Sequence, residues 1–197
     1  KFTDSFNCQK EFIMDIGIYI VIGIVALVLI IIIGWWISTS NNFRRTEVKI
    51  NEAESGIDVA LTKRYDTLTK MLDITRAYAK HETDVIQGTI EKRQMNSMQD
   101  RSQFNNSINE AMGRINAVAE QYPVLLSSQV YKQLQMAAYD VEEHLQAARR
   151  AYNANVSQYN QMIVTFPKSI VAGAMSLQKK EFFEAESAKR NDVKMSF

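Results

Sequence analysis

The sequence predicts an all-α membrane protein: one N-terminal transmembrane helix followed by an elongated antiparallel bundle of three to four helices. Three observations carry this. The run from Ile16 to Ile37 contains no charged side chain, later apolar residues recur at steps of three and four, and 197 residues include only 7 glycines and 2 prolines. With so little turn chemistry, helices are the structure this chain is built to form.

The first element is the run from Ile16 to Ile37, IGIYIVIGIVALVLIIIIGWWI. At 1.5 Å per residue it spans roughly the 30 Å hydrocarbon thickness of a bilayer. Its many Ile and Val residues are mediocre helix formers in water, but lipid forces backbone groups to satisfy one another, which a helix does within one segment. Trp35 and Trp36 close the run, where an indole prefers the headgroup layer, and Arg44 and Arg45 follow within reach of anionic phosphates. A core helix is seldom apolar on every face, and a signal peptide has a shorter apolar centre and a small-residue cleavage site, not a tryptophan pair. The expected divisions are an N-terminal segment (1–15), the membrane helix (16–37), a helical bundle (38–188) and a tail (189–197).

Orientation rests on basic residues. Lys1 and Lys10 precede the run; Arg44, Arg45 and Lys49 follow it, which favours a cytoplasmic bundle. Lys1 is not an initiator, so the start is expected to be processed or incomplete. If Met14 is the natural start, the bias becomes three against none.

Beyond the run, Ser38-Thr39-Ser40-Asn41-Asn42 is rich in capping residues and predicts a break or restart of the helix. A first stripe follows: Ile50, Ile57, Leu61, Tyr65, Leu68, Leu72, Ala79, Ile86 and Ile90. Its period near 3.6 predicts one nearly straight helix, roughly 60 Å long, with bends permitted at Gly56 and Gly88. Residues 95–103 lose the pattern and read as a connection. A second stripe, Phe104, Ile108, Ala111, Ile115, Val118 and Tyr122, stops at Tyr122-Pro123. A third runs from Tyr131 through Leu134, Ala138, Val141, Leu145, Ala148, Tyr152, Val156, Tyr159 and Ile163 to Phe166, at the coiled-coil period of 3.5. Pro167 ends it, and a shorter helix is expected from Ser169 to about Ser187. Stripes of this kind are buried by packing on one another, with Leu61, Leu68, Leu72, Leu134, Val141, Leu145, Tyr152 and Tyr159 as the expected seam.

The chemistry is sparse. The formal net charge is +1 with both signs interspersed, and no basic stripe with interleaved aromatics invites nucleic acid. Cys8 is the sole cysteine, so an internal disulfide is impossible. The two histidines, His81 and His144, have Tyr78 and Val141 three residues earlier, so the Glu-x-x-His pattern of bundle metal sites fails twice. His81-Glu82 does not extend to H-E-x-x-H, because residue 85 is valine. For both, an ordinary surface or boundary position is the better reading. No phosphate loop, nucleophile elbow or cysteine nucleophile is present, and no catalytic residue, metal or cofactor is predicted. Glu142, Glu143, Arg149 and Arg150 read as a solvated face. Arg149 adjoins the third stripe and Arg64 the first, so either is placed to reach a carboxylate across the bundle edge. Tyr152-Asn153 and Tyr159-Asn160 repeat a pair at a spacing of seven, and interhelix hydrogen bonding, Asn160 included, is the expected role.

Four segments together resemble the LemA family: IDVALTKRYDTLTKMLDITRAYAKHE (57–82), EQYPVLLSSQVYKQLQ (120–135), ARRAYNANVSQYNQMIVTFP (148–167) and FFEAESAKRNDVKMSF (182–197). The tryptophan usual in the first signature is absent; Ser55-Gly56 occupies that neighbourhood. The resemblance implies a bacterial membrane protein with a helical domain and no established enzymatic activity, one branch of whose wider family is associated with building the membrane compartments of magnetotactic bacteria.

Two functions are consistent with these features. One is a scaffold or adaptor, single-pass in the bacterial inner membrane, that meets the lipid bilayer, self-associates into a homo-oligomer or recruits a membrane-protein partner, organising or remodelling the membrane. The other is an accessory or regulatory subunit of a membrane protease or transport complex. An enzyme ranks last, because no convergent titratable groups are evident.

Overall fold

The computed structural model describes residues 2–80, 84–86 and 96–183, with side chains described from Tyr19 onward. Every regular element among them is helical: α1 (Phe2–Arg76), α2 (Met98–Gln121), α3 (Pro123–Ser127), α4 (Gln129–Val164) and α5 (Lys168–Ala174). The chain forms two compact units, Lys1–Arg45 with Met162–Leu177, and Thr46–Gln161 with Gln178–Phe197.

In the first unit, no residue of the most apolar stretch of the run is buried by protein. A core helix of this composition would be covered; this one meets its solvent on every side. The expected break at Ser38–Asn42 does not occur, since α1 is helical throughout. Thr39 is buried, and Ser40 Oγ lies 3.3 Å from Met175 Sδ, so these polar groups are used laterally instead of capping a new helix. The helix expected from Ser169 to Ser187 is also corrected. It stops at Ala174, where Leu177 N–H donates to Ala172 O and Ser176 N–H to Gly173 O. That is the Schellman pattern, with Ser176 at φ 53° in the left-handed position usually given to glycine.

In the second unit the core comprises Ile50, Ile57, Leu61, Leu68, Met71 and Leu72 of α1, Phe104, Ile108, Ala111 and Ile115 of α2, and Tyr131, Leu145, Tyr152, Val156 and Tyr159 of α4. The single long helix expected through Ile90 is corrected: α1 ends at Arg76, and tight turns follow in which the amides of Tyr78 and Ala79 both donate to Thr75 O. Ile86 is buried in a further helical stretch, residues 84–86. Ile90, Gly88, His81 and the chain after Phe183 lie outside the described residues. The connection expected over 95–103 is shorter than that, because Ser97 caps α2 with a reciprocal pair: Asp100 N–H donates to Ser97 Oγ and Ser97 N–H to Asp100 Oδ2. These bonds hold the Asp100 carboxyl below its ordinary range.

Helix directions follow from cross-links within this unit. α4 runs antiparallel to α1, since Asn155 reaches Lys49 and Glu142 reaches Arg64. α2 runs parallel to α1, with Arg101 on Asp58, Phe104 beside Tyr65 and Tyr122 beside Tyr78. A parallel pair therefore joins the antiparallel ones expected. The 21 residues from 77 to 97 are long enough to return the chain between them.

Candidate functional site

Two polar constellations lie within the second unit. The first is built on the α1–α2 seam. Asp58 and Arg101 face each other because Ile57, next to Asp58, and Phe104, one turn after Arg101, fill the apolar stripes. Arg101 Nε donates to Asp58 Oδ1 at 2.6 Å, Nη2 donates to Oδ2 at 2.8 Å, and Nη2 also lies 3.1 Å from Glu54 Oε1. Arg101 is 8% exposed, and the bond to Asp58 raises its pKa against the opposing effect of burial. Two turns along α1, the Arg64 guanidinium donates to Asn105 Oδ1 and, at 2.8 Å, to Asn109 Oδ1, and Nη2 meets Glu142 Oε2 of α4 at 2.8 Å. Arg64 thereby ties three helices together. Glu142 is held from its own helix by Gln146, whose Nε2 donates to Oε1 at 2.6 Å.

The second constellation explains the repeated Tyr-Asn pair, and it is a correction. Asn160 and Asn153 do not bond another helix; they grip the irregular segment that follows α5. Asn160 Nδ2 donates to Lys180 O and its Oδ1 accepts from Lys180 N, both at 2.9 Å. Asn153 does the same to Phe183, at 3.1 and 2.9 Å. Seven helical residues rise about 10.5 Å, and three extended residues cover about 10 Å, so two amides a heptad apart match backbone positions 180 and 183. Between them Tyr152 Oη donates to Glu181 O at 2.9 Å. Arg149 stacks over the buried Phe183 ring, its Cζ 4.5 Å from the centroid, and Lys180 Nζ lies 3.3 Å from Glu47. Burial foremost, then the nearby Glu54 carboxylate, pushes the Tyr152 phenol up to about 12; burial also raises Tyr159 and Tyr131.

Of the remaining predicted residues, Leu61, Leu68, Leu72, Leu145, Tyr152 and Tyr159 are buried, whereas Leu134 and Val141 are half-buried. Trp35 is half-buried; Trp36, Arg44 and Arg45 are exposed. His144 is exposed, and among the described residues no group of three or more His, Cys, Asp or Glu side chains is arranged to hold a metal. Sequence reasoning missed Arg101, Asp58, Asn105 and Asn109. The available signal was position: Arg101 stands one turn before Phe104, and Asn105 and Asn109 each directly follow a stripe residue.

Lipid-facing helix and polar-latched bundle together define a membrane-associated, all-helical protein. The LemA family's sequence profile matches residues 53–197, and the chain belongs to that family. Protein LemA of Metamycoplasma hominis is 28% identical over 166 residues, covering 82% of this chain and 76% of that protein. Magnetosome protein MamQ of Magnetospirillum gryphiswaldense is 31% identical over 78 residues, and MamQ 1 of Paramagnetospirillum magneticum 33% over 78. Each of those matches covers 40% of this chain and 29% of the relative. Neither family nor relatives carry the name of an enzyme.

Proposed function

We propose that this LemA-family protein is a membrane-anchored helical scaffold, single-pass in the bacterial inner membrane with its bundle in the cytoplasm, that self-associates or recruits a membrane-protein partner and so organises the bilayer. The observation carrying this reading is how the family signature on α4 is used. Arg149, Tyr152, Asn153 and Asn160 hold the protein's own backbone and ring. Groups that would otherwise suggest a ligand site act to latch the bundle. Confinement to a plane raises the effective concentration of tethered copies, so weak contacts between bundles suffice for assembly. Exposed apolar side chains near the start of α4, Val130, Met136 and Tyr139, offer such contacts. The similarity of a 78-residue stretch to magnetosome proteins supports a role in membrane organisation.

The test is the oligomeric state and vesicle shape produced by the full chain reconstituted in lipid. Homo-oligomers or remodelled vesicles are expected. A strict monomer at high surface density that captures no membrane protein overturns the reading, and co-purification of one stoichiometric protease or transporter replaces it with a regulatory subunit.

A further inference from the structure

The corner between α4 and α5 carries an apolar surface that the bundle does not use. Phe166 is 77% exposed, Val164 58% and Ile170 55%, as exposed as the large side chains of the apolar run of α1. This corner belongs to the same compact unit as that run. Within the unit, burial on α1 begins at Thr39 and includes Phe43, while the corner contributes Met162, Val171 and Ala172 to the buried set. The Ser40–Met175 contact fixes the level at which the two parts meet. Ile37 ends the apolar run, so Thr39 to Phe43 lie about 3–9 Å beyond the hydrocarbon edge, and the headgroup layer is about 5–8 Å thick on each side. Ile170 lies on α5, about 7.5 Å of helix before Met175, and Phe166 and Val164 lie just ahead of α5, so the exposed side chains are close along the chain to the level of Ser40.

We propose that the α4–α5 corner is a second lipid contact: Phe166, with Val164 and Ile170, inserts into the bilayer interface beside the transmembrane helix. Lipid is the occupant because the corner's apolar side chains are as exposed as those of the apolar run and belong to the same compact unit, joined to α1 through the Ser40–Met175 contact. Lys168 next to the insertion and the exposed Arg44 and Arg45 of the same unit supply cations at the depth of lipid phosphates. Insertion at two points fixes the rotation of the first unit about the membrane normal, which a single helix does not do.

This rests on α1 spanning the membrane, and the experiment separates the two claims. Cys8→Ser removes the sole cysteine, and single cysteines are introduced as Phe166→Cys, Ile170→Cys, Ile31→Cys and Val124→Cys. Each full-length protein is labelled with an environment-sensitive fluorophore in phosphatidylcholine–phosphatidylglycerol vesicles, then quenched by nitroxide-bearing lipid or by aqueous iodide. Labels at 166 and 170 are expected to be quenched by the lipid probe several-fold more than the label at 124, approaching the label at 31, and to resist iodide. If 166 and 170 behave like 124, the corner contact is overturned while the anchor stands. If they escape both quenchers, protein covers the corner and the proposal fails as well. If 31 itself escapes the lipid probe, the anchor falls and takes the corner with it. The substituted side chains are exposed, so the bundle's circular dichroism should be unchanged.

Discussion

Helix α1 contains two regions built from the same apolar residue types with opposite fates. From Tyr19 to Ile37 nearly every large side chain is exposed to half or more of its area, whereas Ile50, Ile57, Leu61 and Leu68 are at 1% or less. Residue type does not distinguish the regions; arrangement around the helix does. An all-round apolar surface has no face to give to water and is stable only in lipid. A one-sided stripe is buried by neighbouring helices while Glu, Lys and Asp keep the other face wet.

The largest expected effect tests this contrast directly. Leu61→Ala should lower the bundle's unfolding free energy by about 3 kcal/mol, because a fully buried leucine leaves a cavity. Leu27→Ala should leave the same transition unchanged in chemical denaturation of the detergent-solubilised chain. An equal loss from both would break the comparison. Next is Arg64→Ala, expected to cost about 2–3 kcal/mol by stranding the buried Asn105 and the Glu142 carboxylate. Arg64→Lys should rescue little of it, since an ammonium cannot fork to three partners. No polar substitution on the lipid-facing region has a comparable network to break.

Loss of Asn153 or Asn160 should be smaller, about 1–2 kcal/mol each, and local. Hydrogen exchange at the amides of Lys180 and Phe183 is the measurement; acceleration there with α4 itself still protected is expected, and uniform acceleration would show that the latch is part of the global core. The alkaline limb comes next. An unfolded tyrosine titrates near 10, and Tyr152 folded near 12, so its neutral form favours the fold. That contribution is fully present below pH of about 10 and lost as pH rises toward about 12. Thermal melts should fall across that window, and Tyr152→Phe should flatten the fall. Smallest is Gly56→Ala, a gain of up to about 1 kcal/mol from helix propensity, because the added Cβ meets Ala148 Cβ at an ordinary 3.8 Å. A loss instead would show that the α1–α4 approach is tighter than this spacing.

How much was legible in the chain varies with the physics of each feature. The stripes on α2 and α4 were readable because burial follows the helical period, and Phe104, Ile108, Tyr152 and Val156 are core residues for that reason. Helix ends were less legible. Ser97-x-x-Asp100 is a capping box that begins seven residues before the first recognised stripe residue of α2, and Ser176 fills a left-handed position without the glycine that announces one. The stop at Arg76 has neither proline nor glycine beside it, so no local code marked it. The Asn153–Asn160 repeat was visible as a pattern, but its partner was not, since an amide clamps helix, strand or loop backbone alike.

Residue order alone marked the segment that is apolar on every face and most of the residues of α1, α2 and α4 that turn inward, because each depends only on how apolar groups are spaced along a helix of fixed pitch. Tertiary structure alone decided where α1 stops, which carboxylates receive Arg64 and Arg101, and what the asparagines of α4 hold. A hydrogen bond or ion pair is short-ranged and directional, so its partner is chosen only when packing brings two groups within about 3 Å.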